Sequence, residues 1–430
     1  MEEPKDAEMR IGALWFQPGI TGGNFATLCY ASFSTIAIIT FLGFAQPYLL
    51  TEVLRIPQEE QGTFTGLLAT FSEVILLALS GVVGATSDRV GRRLMFVGGF
   101  VCIALGYFVY PLADTKLQLV LFRGLLAIGF STAPIMLSAC IVDYIQERSR
   151  GRWLGTNAVF SGLGAMFMAF VLAKLPQWYL EAGASAVNAG RYTFWTASAL
   201  CLLSAIILWF GLSDRRASAS SPRNIMQQTA AGFREGWANP RLALAYAAAF
   251  IGRGDLVIIS TFLSLWVVHT GVDNGISAGV ALAKAGVLYG ILQGSALLWA
   301  YGMGMIADRV NRIIGLVIAL AFATVGYSLM GQIADPFGSN AIYAAIVLGI
   351  GEISVIVAAG TLMGQEARPE IRGAIVGVFG ISGGLGIMAL SFAGGILFDH
   401  VGRTAPFIMM GILNGLLMLV ALLLWFRQRR

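Results

Sequence analysis

Twelve predominantly apolar stretches follow one another along the chain, and at roughly 20 residues per bilayer crossing each is long enough to form a membrane-spanning helix. They are read at 26–50, 62–86, 93–113, 117–143, 154–175, 191–212, 242–269, 280–306, 313–334, 338–365, 373–397 and 404–426. The polar connections between them alternate in charge. Of the 28 Lys and Arg, 20 fall in the termini and in the loops after spans 2, 4, 6, 8 and 10, six lie at the opposite loops and two inside spans. Basic loops stay in the cytoplasm. The expectation is therefore an all-α polytopic protein of the cytoplasmic (plasma or inner) membrane, with both termini inside.

Composition agrees. Hydrophobic residues make up 57% of the chain and charged ones 12%, against roughly a quarter charged in a soluble domain. The net charge of +5 is accounted for by loop placement, so nucleic acid is not an expected partner. The acidic start, Met-Glu-Glu-Pro-Lys-Asp, lacks the basic flank and cleavage site of a signal peptide. Cys29, Cys102, Cys140 and Cys201 fall inside spans without paired spacing, and only His269 and His400 are present, so no disulfide framework, metal site or cofactor is expected.

The chain repeats itself. Gly84-Ala-Thr-Ser-Asp88-Arg89-Val90-Gly91-Arg92-Arg93 returns 220 positions later as Gly304-Met-Ile-Ala-Asp308-Arg309-Val310-Asn311-Arg312-Ile313. Arg150-Gly151, after span 4, has its counterpart in Arg372-Gly373, after span 10. Two landmarks at nearly one offset indicate a duplication: a six-span bundle over 1–213, a cytoplasmic linker over 214–241 with the polar run Arg-Arg-Ala-Ser-Ala-Ser-Ser-Pro, and a second bundle over 242–430. Glycines gather in span 5 (Gly155, Gly162, Gly164) and span 11 (Gly377, Gly380, Gly383, Gly384, Gly386), where small residues let backbones approach in lipid, either as tight packing or as a surface on which the halves rock.

These residues resemble the major facilitator superfamily. Gly84-x-x-x-Asp88-Arg89-x-Gly91-Arg92-Arg93 is similar to that family's signature between spans 2 and 3, and the second copy departs from it at Asn311 and Ile313. Arg123, Ala127 and Gly129 on span 4 resemble its Arg-x-x-x-Gly-x-Gly, with Ala at the first glycine. The resemblance implies twelve transmembrane helices in two pseudo-symmetric six-helix bundles, with spans 1, 4, 7 and 10 lining a central cavity. Span 5 carries Ser161-Gly-Leu-Gly164-Ala, without the Gly-Pro pair typical of the family's drug and proton antiporters.

The resemblance also implies a gate. Asp88 would neutralise the N-terminal end of span 11, near Gly373, when the cytoplasmic side is shut. Arg89, Arg92 and Arg93 are placed to pair with Asp143 and Glu147 at the end of span 4, or else to set orientation and bind anionic lipid. Gly304, Asp308, Arg309 and Arg312 are the second-half equivalents.

Ionisable side chains at mid-bilayer cost about 2.5–3.5 kcal/mol each on insertion scales. Glu73 in span 2, Arg123 in span 4, Arg253 and Asp255 in span 7, and Glu352 in span 10 stand out. Arg253, Asp255 and Glu352 are the leading candidates for solute and coupling-ion chemistry, their alternative being a permanent brace between helices. Residues two apart on a helix point about 160° from one another. Either Arg253 and Asp255 face different neighbours, with Arg253 pairing Glu352 or Asp255 pairing a group such as Gln293, or the flanking Gly252 and Gly254 break the helix. Displacing an arginine from a carboxylate toward a solute anion would favour proton uptake, a coupling route. Glu73 is a further solute or coupling-ion candidate, a structural role being its alternative because span 2 is peripheral to the family's cavity, and Arg123 reads as a residue that snorkels to the interface or braces the bundle. Tyr30, with Ser32, Ser34, Thr35, Gln46 and Pro47, offers a polar wall in span 1; Trp195 and Trp266 read as interfacial anchors.

The functional expectation is a monomeric secondary active transporter, a symporter moving a small organic solute, anionic or zwitterionic, with protons. An antiporter exporting amphipathic drugs or lipids is the alternative, and a non-transporting membrane sensor a remote one. No nucleophile and base pair or nucleotide-binding Gly-x-x-x-x-Gly-Lys loop appears, so neither an enzyme nor ATP-driven transport is expected.

Overall fold

Lipid leaves a backbone no partner but itself, which is why the apolar runs close into helices. The computed structural model describes residues 9–214 and 225–429; the acidic start and the polar run 215–222 lie outside them. Twelve helices among the described residues are long and apolar enough to span: Gly22–Val53, Gln58–Val90, Arg92–Leu112, Lys116–Tyr144, Gly151–Glu181, Ala186–Gly211, Pro240–Asp273, Ala278–Arg309, Arg312–Gly331, Ser339–Glu366, Pro369–His400 and Ala405–Arg427, here spans 1 to 12. Their ends fall within about four residues of expectation except where spans 5 and 6 meet. There the helix tightens over Leu172–Lys174 and restarts at Leu175–Glu181 around Pro176, an amphipathic turn that a hydropathy window cuts off.

By contact density the described residues divide into two units. Unit 1 takes those within Met1–Leu42, Ile75–Met168 and Val187–Ser221, and unit 2 those within Gly43–Val74, Ala169–Ala186 and Pro222–Arg430.

In unit 1, span 3 packs along span 4, where Gly99, Gly106 and Gly129 leave no room for a side chain. Arg123 is buried and hydrogen-bonds Tyr110, so it braces this bundle rather than snorkelling to the interface. Ahead of span 1, Arg10–Ile11 pairs antiparallel with Leu14–Trp15 around Gly12, whose φ of 57° suits the turn. The Trp15 ring lies under the guanidinium of Arg148 at 3.9 Å, and the Trp15 backbone amide donates to Ser149 Oγ at 3.0 Å, tying this hairpin to the loop after span 4.

In unit 2, span 9 sits between spans 10 and 12, span 8 lies along span 10, and span 7 contacts spans 10 and 11. Trp266 is 2% exposed against Phe407, so it is a core residue and not the interfacial anchor expected, because span 7 is covered along most of its length. The linker expected to be polar contains a helix, Ile225–Ala238. The second-half glycines have distinct duties. Gly386 admits the Phe250 backbone and Gly383 the stem of Arg253, whereas Gly377 and Gly380 have no atom within 4 Å of a would-be Cβ.

Candidate functional site

Span 7 starts cleanly because Asn239 Oδ1 accepts hydrogen bonds from the Arg241 and Leu242 amides and Pro240 takes the first helical position. It runs unbroken through Val257, then widens into a π-helical stretch at Ile258–Phe262. Gly252 and Gly254 therefore do not break the helix. They let Val355 of span 10 and Leu390 of span 11 come close. In a regular helix the two neighbouring charges must diverge, and they do: Arg253 is exposed while Asp255 is fully buried.

Asp255 lies beside Tyr327 of span 9, also fully buried, and is acted on electrostatically by Glu352 of span 10, 3% exposed. The Tyr327 hydroxyl lies beside the Asp255 carboxyl, yet without the alignment of a well-formed hydrogen bond. Asp255 Oδ1 and Oδ2, Glu352 Oε2 and Tyr327 Oη are four buried oxygens lacking a properly formed partner. Each such group costs about 1–3 kcal/mol, and more if charged, so this cluster is the least compensated polar site of unit 2. Tyr327 sits in an uninterrupted apolar run, and only a lone phenol between Gly326 and Ser328 signalled it.

On the other side of span 7, the Arg253 guanidinium acts electrostatically on Glu73 of span 2, which is 7% exposed. Arg253 thus does not take the expected partner, Glu352. Nor does Gln293 reach Asp255; its amide donates to the Tyr289 hydroxyl at 2.8 Å, one helical turn away on span 8. Trp299 donates to Ser354 Oγ at 3.0 Å, two residues beyond Glu352. In unit 1, Tyr30 shares a hydrogen bond with Ser204 at 2.8 Å, and Ser32 and Ser34 donate to their own helix backbone. Gln46 donates to Thr65 at 3.0 Å.

The two hinges differ for a backbone reason. In the first, Gly91 adopts φ 108°, and Arg92 bridges Asp88 at 2.6 Å and Asp143 at 3.1 Å while also donating to Ser87. Arg93 turns to Asp214 at 2.8 Å and stacks on Trp209, not on the acids ending span 4, because its side chain leaves the first turn of span 3 toward the end of span 6. Arg89 is exposed. In the second, Asn311 has φ −55° and caps span 9 through the Ile313 amide, Arg312 reaches Asp308 at 3.5 Å and the Ala307 carbonyl, and Arg309 is exposed. A would-be Cβ on Gly84 or Gly304 meets nothing within 4 Å. Gly91→Ala is therefore expected to lose about 1–3 kcal/mol of stability, and Gly84→Ala, in a helix interior, to gain up to about 1 kcal/mol. Thermal unfolding in detergent measures both; equal melting temperatures for the two variants would contradict the strain at Gly91.

At the end of unit 2 away from Asp308, spans 2 and 11 close on each other. Asp399 accepts from the Gly62 and Thr63 amides at 2.8 and 2.6 Å, and Gly62, Gly66 and Gly395 leave no space between the backbones. His269 donates to Gln61 Oε1 at 2.9 Å, and Arg403 bonds Asp273 at 2.6 Å and Gln58 at 3.0 Å. Gly286 and Gly290 of span 8 similarly admit Ala169, Ala173 and Phe170. The roles of Asp399 and His269 were not legible in the sequence, because each lies at the end of an apolar span and its partner is about 200 to 340 positions away.

Proteins of similar sequence are matched over most of this chain. Magnetosome protein MamH of Paramagnetospirillum magneticum is 27% identical over 408 residues, 92% of this chain and 91% of its own length. Two longer magnetosome relatives are matched over 62% of their length. Multidrug resistance protein 1 of Bacillus subtilis is 24% identical over 383 residues, 85% of this chain and 88% of that protein. The solved structure of the nucleoside transporter NupG superposes with a TM-score of 0.74 at 12% identity, covering 94% of this chain and 99% of that one, a likeness of fold. The sequence model described as Major Facilitator Superfamily matches residues 28–389 and 303–430, and the chain belongs to that superfamily of integral membrane transporters.

Proposed function

We propose that the protein is a proton-coupled secondary active transporter of a small organic solute carrying an acidic group. One observation carries this reading: Asp255 and Glu352 are buried together, and among the described residues neither joins an ion pair. An ionised carboxylate there would be an uncompensated buried charge, whereas a neutral acid would not. A proton is the species we assign to the pair, with Tyr327 orienting the Asp255 carboxyl.

Arg253 is the solute-responsive group. It is exposed, and its counter-charge is the Glu73 carboxyl on span 2. An anionic group on the solute would compete with Glu73 for the guanidinium, and because Arg253 and Asp255 share one helix, movement of span 7 would reach both charges. The asymmetry of the basic loops supports a cytoplasmic hinge face and cytoplasmic termini, and twelve spans suffice for a monomer. The likeness to Multidrug resistance protein 1 supports a second reading, export of amphipathic compounds by proton antiport.

The test is proton movement in proteoliposomes on adding pooled organic anions, zwitterions or lipophilic cations. Alkalinisation of the outside by anions or zwitterions, lost in Arg253→Ala, is the expected result. Proton release driven by lipophilic cations would establish the antiport reading instead. Solute movement that leaves external pH unchanged with every pool would overturn both.

A further inference from the structure

Residues 9–20, ahead of span 1, lie along the loop after span 4 as an added strand. The Gln17 amide donates to the Tyr144 carbonyl at 2.9 Å, and Phe16 bridges Ile145 in antiparallel register. The Gln146 amide donates to the Trp15 carbonyl at 3.0 Å, and its side chain donates to the Phe16 carbonyl at 2.7 Å. Arg152, at the start of span 5, donates to the Ala13 carbonyl at 2.8 Å. Packing fixes the segment as well. Phe16 is fully buried and edge-on to Phe25, which is edge-on to the fully buried Trp153. The turn itself is open to water, with Arg10, Gly12 and Ala13 exposed.

Where the strand attaches decides its consequence. The last carbonyls of a helix have no partner within it, and span 4 ends at Tyr144. The Gln17 amide supplies a partner from a segment that precedes span 1, so it caps the final turn of span 4. Asp143 stands in that turn, and its carboxylate takes Arg92 at 3.1 Å. Tyr144 has a second attachment. Its hydroxyl accepts from the Ser213 amide at 2.8 Å, and the next residue, Asp214, takes Arg93 at 2.8 Å. One residue held by the strand is thus joined, through the chain or through one hydrogen bond, to the acid partners of both hinge arginines. The second hinge is built differently. Span 10 ends at Glu366, which accepts from Asn239 at 2.9 Å and pairs with Arg241 at 3.3 Å, while Arg312 turns to Asp308.

We propose that residues 9–20 are a clasp that positions Asp143 and Asp214 for Arg92 and Arg93, so that a segment outside the membrane-spanning helices sets the strength of the first hinge. Docked, the clasp keeps the last turn of span 4 helical and Asp143 turned to Arg92. Peeled away, it leaves the Tyr144 carbonyl to water, the last turn frays, and the bridge to Arg92 loosens. Anything that competes for this strand acts on the hinge without touching it. The clasp is therefore a control point whose action does not depend on which solute or coupling ion is carried.

Cysteine reactivity in the full chain tests this. Cys140 is fully buried one turn before Asp143, and Cys201 is fully buried in span 6, well before its Ser213 end. With Cys29 and Cys102 replaced by alanine, these two thiols are alkylated with N-ethylmaleimide in proteoliposomes and resolved by peptide mass spectrometry. Phe16→Ala is expected to label Cys140 several-fold faster and to leave Cys201 unchanged. Asp143→Ala should do the same, and the double variant should be no faster than Asp143→Ala, because strand and acid act along one chain of contacts. Unchanged Cys140 labelling in Phe16→Ala would leave the strand without influence on the hinge. Faster labelling of both thiols would reduce it to general stability, and rates that multiply in the double variant would place its action elsewhere than Asp143; each of the three overturns the proposal. Ser149→Ala, which removes only the acceptor of the Trp15 amide, gives the same readings should Phe16→Ala fail to fold.

Discussion

Glu352→Gln is expected to abolish uphill solute accumulation driven by a pH gradient while leaving downhill exchange in place. One pH unit across the membrane corresponds to about 1.4 kcal/mol, hence about a tenfold solute ratio for one proton per solute. In the variant that ratio should fall to unity. The amide matches the acid in size and is neutral, so it occupies the buried position of Glu352 without introducing a buried charge, but it has no proton to release. Asp255→Asn should behave alike, since both carboxyls are buried, Glu352 acts electrostatically on Asp255, and neither joins an ion pair among the described residues. Tyr327→Phe keeps both acids and removes only the hydroxyl beside Asp255, so it should shift the pH at which accumulation is half-maximal rather than abolish it. Proteoliposomes with an imposed pH gradient provide the measurement. Full accumulation in both amide variants would remove the proton from this pocket and move attention to Glu73.

Asp399→Ala is expected to open the end of unit 2 where spans 2 and 11 meet. The carboxylate accepts from two consecutive amides near the start of span 2, at 2.8 and 2.6 Å, where the partial positive charge of the helix end adds to the attraction. Hydrogen bonds to a charged group contribute about 1.5–3 kcal/mol each. Losing both would shift the closed population by about 100-fold or more, at about 1.4 kcal/mol per tenfold. Asp399→Asn retains one acceptor oxygen and should fall between. Thr70 donates to the Met388 carbonyl deeper along the same seam, so maleimide labelling of Thr70→Cys reads the opening: slow in the native background, fast with Asp399→Ala. Equal labelling rates in the two backgrounds would assign closure to the glycine contacts alone. Gly66 and Gly395, where a methyl group would collide with the opposing backbone, are the residues to examine in that event.

The spans and hinge positions were set by the sequence itself, because lipid offers the backbone no partner and imposes a length of about 20 apolar residues that can be read locally. The duplication was legible for the same reason: Asp88 and Asp308 mark one connection between apolar runs in each half. The divergence of Arg253 from Asp255 was one of two outcomes that helix geometry allowed, and the unbroken helix through Val257 decided it. Partnership was another matter. Arg253 acts electrostatically on Glu73, Asp255 lies beside Tyr327, and Asp399 accepts from the Gly62 amide, each pair separated by a stretch of chain that carries no record of which helix will be the neighbour. In lipid the choice of neighbour rests on close packing at small residues. Gly383 beneath the Arg253 stem and Gly254 against Leu390 act only once two helices are in contact, so which charge is left exposed and which is sealed away was decided by the tertiary structure.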